Sequence, residues 1–143
     1  MKTILKMIIG ISLIFLLLGV VSAEEFDVDT LQVPFGYSDL EGGTAMLNDG
    51  HTQLYVGKMS LNEEVFDSNV EEQYIVTDIG NNTYLFTDDL LQMYGFQEKV
   101  NINGVDYLVS ISKDSPLSNA DKTLLKEDLD KFNEKNNLEP VAV

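Results

Sequence analysis

Asn103-Gly104 stands between two alternating runs, Val100-Asn101-Ile102 and Val105-Asp106-Tyr107-Leu108-Val109-Ser110-Ile111, and no other feature of the chain restricts its fold so tightly. Both turn residues tolerate positive φ, so a two-residue hairpin sets Ile102 opposite Val105, Val100 opposite Tyr107 and Glu98 opposite Val109. One face of the pair is then almost wholly apolar. A slip of one residue would turn all of these side chains to the other face, so the register is well specified.

Two further hairpins are expected. Apolar segments at 44–48 and 52–59 flank Asn48-Asp49-Gly50-His51, and β-like runs at 73–79 and 83–87 flank Gly80-Asn81-Asn82. Residues 26–33 read as a first strand, stopped by Pro34-Phe35-Gly36, where Pro34 withholds an amide and Gly36 permits a turn. Glu41-Gly42-Gly43 reads as a flexible connection. Ser60-Leu61-Asn62-Glu63 has the pattern of a capping box opening a short helix with Leu61, Val65 and Phe66 inward. Thr87 is placed to cap a brief helix through Asp88, Asp89, Leu90, Leu91 and Met93, with Gly95 as its left-handed exit.

The tail from 118 to 136 is an amphipathic helix. Ser118 or Asn119 caps it, Asp121 lies in its first turn, and Ala120, Leu124, Leu125, Leu129 and Phe132 recur on one side. Glu127 and Lys131 form an i,i+4 pair, Asn136-Asn137 ends the helix, and Pro140 prevents its resumption. The class is therefore α+β: an antiparallel sheet of about six or seven strands with a C-terminal amphipathic helix packed on one face. Phe26, Phe35, Phe66, Phe86, Phe96 and Phe132, with six tyrosines, are expected to supply the core.

The N-terminus carries an address. Lys2 and Lys6, an apolar run over 7–21, and Val21-Ser22-Ala23 before Glu24-Glu25 have the order of a secretory signal peptide, residues 1–23. Its removal takes 143 residues to 120, leaving 24–143 as a single exported domain in the extracellular space or cell envelope. The alternative is an anchor formed by an uncleaved N-terminal helix, since 7–23 is near the lower limit of the roughly 20 residues that span a bilayer. The chain has no cysteine, so neither a lipid-modified cysteine nor a disulfide is available, and packing alone must hold the domain together.

The exported part keeps seven of the nine lysines and all 24 acids, a formal charge of −17 with no arginine. Such a surface repels phosphate backbones, which excludes nucleic acid as a partner, and disfavours anionic membrane surfaces, so no membrane insertion is expected after signal cleavage. Its ordinary consequence is solubility.

Enzyme classes fail mostly by absence. His51 is the only histidine, so there is no His-Glu-x-x-His zinc set, and without cysteine there is no thiol nucleophile. His51 lies in an expected surface turn, and Gly36-Tyr37-Ser38-Asp39-Leu40 keeps only the first glycine of a nucleophile elbow. No catalytic residue is assigned. Carboxylate pairs are abundant, which leaves a small extracellular hydrolase using such a pair as the alternative function. No cofactor is required, but Asp78, Asn82, Asp88 and Asp89, with Asn81, offer oxygen ligands of the kind calcium takes around one hairpin. Solvated turn and cap residues would have the same composition. Asn81-Asn82-Thr83 is also a glycosylation sequon.

Val33-Pro34-Phe35-Gly36-Tyr37 resembles the early Val/Ile-Pro-x-Gly-aromatic segment of PsbP/Mog1-like domains, and the strand-then-helix ending is similar to theirs. The closing stretch from Phe132 to Val141 resembles the ends of small uncharacterised exported proteins of methanogenic archaea. The first resemblance implies an antiparallel sheet covered by helices and used mostly for binding and assembly; residues 34–72 depart from it by showing only a short helix. The function expected is a non-enzymatic binding module for a protein or cell-envelope component.

Overall fold

The computed structural model describes residues 26–67 and 73–143. The expected signal peptide lies outside the described residues. Seven strands form one antiparallel sheet: β1 (Thr44–Met46), β2 (Thr52–Lys58), β3 (Tyr74–Gly80), β4 (Thr83–Asp88), β5 (Met93–Ile102), β6 (Val105–Lys113) and β7 (Pro140–Val141). Their order is β1-β2-β6-β5-β4-β3. Strand β7 pairs with β5 at Lys99 and Val100, beyond the point where β4 leaves the same edge at Gln97. One helix, α1 (Asn119–Lys135), packs against β5 and β6. Among the described residues no helix is long and apolar enough to cross a membrane.

The Asn103-Gly104 hairpin takes the expected register, with Ile102 opposite Val105, Val100 opposite Tyr107 and Glu98 opposite Val109. Alternation then separates two faces. On the helix face, Ala45, Leu54, Ile111, Phe96 and Leu85 form a row across five strands. Leu125, Leu129 and Phe132 close over this face and are fully buried. Each contributes roughly 1.5–3 kcal/mol by burial. Ser118 caps the helix reciprocally with Asp121, and Lys113 of β6 reaches Asp121 at 3.0 Å, so one side chain fixes both the start of the helix and its seat on the sheet. Tyr37 donates a 2.9 Å hydrogen bond to Asp128 and ties the 33–37 segment to the helix.

Several local expectations yield to tertiary contacts. Residues 26–33 hold only a 3-10 turn at Val28–Thr30, because the Asp29 carboxylate accepts from the Gly42 and Gly43 amides and pins that stretch to the 41–43 turn. The expected flexible connection is thus held. A 3-10 turn at Met59–Leu61 replaces the helix at 60–66: the Asn62 side chain donates to the Lys58 carbonyl, and Gln97 and Tyr74 from the sheet take the Val65 carbonyl. Leu61 is consequently 81% exposed. Residues 88–93 form a tight turn between β4 and β5, and Gly95 is a strand residue. Phe35 is fully exposed at its turn. On α1 the stripe is narrower than the pattern implies: Ala120 and Leu124 face outward, and the i,i+4 ion pair is Lys126 to Asp130 at 2.7 Å.

Candidate functional site

The side chains that alternate away from the helix converge on the second, open face of the sheet. Tyr55, Ser110, Gln97 and Tyr84 are register partners across β2, β6, β5 and β4. One step along, Gly95 pairs with Phe86, and Met93, Asp88 and Tyr74 follow. The segment 59–67 crosses over this floor and is held by polar contacts. Gln97 Nε2 donates to the Val65 carbonyl at 2.8 Å, the Tyr74 hydroxyl donates to the same carbonyl, and Asn62 Nδ2 reaches Tyr55 Oη at 3.3 Å. Phe66 stacks edge-on against Tyr84, with centroids 5.1 Å apart.

Between segment and sheet lies a cavity of about 700 Å³, within the range of small-ligand sites. Gln97, at its floor, is only 2% exposed. Leu61 and Leu91, both strongly exposed, lie at its mouth. Two glycines shape the floor. A Cβ on Gly95 would fall 1.9 Å from the Ile111 carbonyl oxygen, so β5 and β6 can approach there only without a side chain; one on Gly57 would meet the Tyr55 ring, which lies over it.

Charge in the cavity has one sign. Asp88, Glu63 and Glu64 line it, and among the described residues no lysine, arginine or histidine does. Asp88 Oδ1 accepts from the Leu90 and Leu91 amides at 3.1 and 3.0 Å, which builds the turn, while Oδ2 takes no hydrogen bond from the described residues. Burial pushes the Tyr74 hydroxyl above the usual tyrosine value, and the Asp88 carboxylate adds to that. Lys99, on the same face beyond Gln97, is engaged by Asp106 at 3.6 Å.

The four calcium candidates fall at two ends of the β3–β4 hairpin. Asp78 accepts from the Gly80 amide, and Asn82 donates to the Pro140 carbonyl at the turn. Asp88 and Asp89 sit at the other end of β4, where Asp89 accepts from the Tyr94 hydroxyl at 2.7 Å. A strand of this length separates the ends by roughly 17 Å, so one cation cannot reach all four. Among the described residues no group of three or more His, Asp or Glu side chains is placed to hold a metal. Asn81 of the sequon is exposed at the turn, whereas its Thr83 is buried. His51 lies outside the cavity lining, with Nδ1 2.8 Å from Asp114. That hydrogen bond raises the His51 pKa above its ordinary value.

Two groups of functional character escape the sequence reading. Gln97 follows Gly95, which reads in the sequence as the exit of a brief helix, so no sheet face is assigned to it there; Gly95 stands instead inside β5, where the two backbones approach closely. Glu98 lies on the helix face and is 1% exposed. Thr83 donates to its Oε2 at 2.6 Å and Asn133 Nδ2 to its Oε1 at 2.7 Å, while Asn133 Oδ1 is buried with no partner. Burial pushes the Glu98 carboxyl above the usual range, against the opposing pull of those two donors.

No family model matches the chain, and neither a curated protein nor a solved structure matches it.

Proposed function

We propose that this is a non-enzymatic exported binding module, and that it recognises a protein or cell-envelope component through the groove on the open face of its sheet. The observation that carries this reading is the cavity itself: a buried polar floor beneath the 59–67 segment, with Leu61 of that segment and Leu91 of the β4–β5 turn exposed at the mouth. Side chains of that size are exposed at a cost unless something covers them. Among the described residues β3 is the outermost strand on that side of the sheet, and its Tyr74 borders the same face. Chemistry of the floor favours binding over turnover. The Gln97 amide and Tyr74 hydroxyl are spent on the Val65 carbonyl, and the chain's single histidine is held by Asp114 outside the cavity, away from Ser110.

The test is capture from cell-envelope extract by immobilised wild-type protein and by Leu61→Asp, at salt concentrations where the Debye length falls from ~10 Å to ~3 Å. The expected result is a component retained by wild type at high salt and lost with Leu61→Asp. Loss of every partner at high salt would make the acidic surface the recognition element, and turnover of a polysaccharide or peptide by the purified protein would establish the hydrolase instead.

A further inference from the structure

Resting on that reading of the groove, we infer that the cavity receives an alkylated ammonium group, carried by a component of the cell envelope. Three features of the lining point to this chemistry. Its charge is entirely negative, from Asp88, Glu63 and Glu64, in a domain whose exported part carries −17. An anionic ligand would meet repulsion without a single compensating cation among the described residues of the lining. Aromatic rings of Tyr55, Tyr74 and Phe86 stand among these carboxylates, and such rings attract a cation lying over their faces. The third feature distinguishes an alkylated from a primary ammonium. A primary ammonium must satisfy three N–H donors, yet the Val65 carbonyl already accepts from both Tyr74 and Gln97, and Asp88 Oδ1 from two amides. Ser60, Glu63 and Glu64 are exposed, so the buried carboxylate of the lining is Asp88, whose Oδ2 stands among Phe86, Leu91, Met93 and Leu108. An alkylated ammonium needs that combination: a nearby negative charge and apolar contact for its methyl groups, with no donors to satisfy. Inside the cavity this attraction is screened less than one on the surface.

The experiment is a titration of the full protein followed through backbone amide signals of Gln97, Tyr74 and Met93 by NMR, with three probes. These are choline, its neutral isostere 3,3-dimethylbutan-1-ol, and Nα-acetyl-lysine amide. Choline is expected to give saturable shifts confined to the cavity and to bind at least tenfold more tightly than either competitor. Asp88→Asn keeps an oxygen for the Leu90 and Leu91 amides and so preserves the turn; it is expected to weaken choline severalfold with an unchanged melting temperature. Phe86→Leu is expected to weaken choline while leaving 3,3-dimethylbutan-1-ol unaffected. Equal binding of the isostere would overturn the charge preference, and equal binding of the lysine probe would overturn the preference for an alkylated cation. No shift with any probe would overturn the proposal outright. In each of these cases salt-resistant capture that depends on Leu61 would still stand, so a failed ligand assignment is distinguishable from a failed groove.

Discussion

Removing the Glu98 side chain should destabilise the domain far more than its isolated position suggests, because Glu98 is the acceptor for two buried donors. In Glu98→Leu the Asn133 amide, 6% exposed, loses its partner, and the Thr83 hydroxyl, 2% exposed, is left with only the long 3.4 Å contact to the Asn81 carbonyl. A buried orphan costs about 1–3 kcal/mol and the weakened hydroxyl bond up to about 1 kcal/mol more, so the loss should be about 1–4 kcal/mol, a large part of the roughly 5–15 kcal/mol that holds a domain of this kind together. The concerted variant Glu98→Leu, Thr83→Val, Asn133→Leu removes donors and acceptor at once, along with the unpartnered Asn133 Oδ1, and should recover most of that loss. Glu98→Gln separates charge from hydrogen bonding. The folded-state pKa of Glu98 is raised above its unfolded value near 4.5, chiefly by burial, so the stability linked to its proton is fully present below 4.5 and is lost as pH rises through the folded pKa. Thr83, Asn133, Lys126 and Asp130 all act on that titration, and none of them is altered in this variant. Glu98→Gln should therefore gain on wild type as pH rises from 4 to 8. Urea denaturation across that range measures both effects. A Glu98→Leu variant as stable as wild type, or a Glu98→Gln difference that shrinks with rising pH, would refute the reasoning.

Other substitutions test the remaining contacts. Gly95→Ala should lower the urea midpoint by the equivalent of roughly 1–3 kcal/mol or more, because its Cβ would meet the Ile111 carbonyl at 1.9 Å and the strands must separate; an unchanged midpoint would show that β5 and β6 yield freely there. Leu125→Asp and Phe132→Asp should unfold or severely destabilise the domain, since both side chains are fully buried, whereas Lys122→Ala, on the exposed side, should stay within about 0.5 kcal/mol of wild type by the same assay. His51 should titrate above its ordinary value near 6.5 by NMR and return toward it in Asp114→Asn. The associated stability is present in full below 6.5 and lost as pH rises through the folded pKa; a lowered His51 pKa in the wild type would contradict the geometry.

The elements that were legible in the sequence are those whose determinants are local. Asn103-Gly104 carries its own turn geometry, and alternation on either side of it sets which residues pair, so the β5–β6 register follows from the contiguous residues 98–111 without reference to the rest of the chain. Ser118 and Asp121 lie one turn apart, and their reciprocal cap is as local as the hairpin. Where the sequence reading failed, a contact from far along the chain outweighed a local preference. Asp29 reaches Gly42 and Gly43, and the helix implied by Ser60-Leu61-Asn62-Glu63 gives way to a segment held over the sheet by Gln97 and Tyr74.

The site depended on tertiary structure almost entirely. Gln97 and Ser110 face each other within the β5–β6 hairpin, but Tyr55 joins them only because β2 pairs with β6 across a long stretch of intervening chain, and nothing local to Tyr55 specifies that pairing. Period-two alternation assigns a side chain to one face or the other but does not say which face will be roofed. That is why Gln97 and Glu98, adjacent in sequence and both polar, are both buried on opposite sides of the same sheet, one beneath the 59–67 segment and one beneath the helix. Local backbone preference and alternation are settled within a few residues, whereas burial of a polar group depends on which distant donors and acceptors the completed fold brings within 3 Å of it.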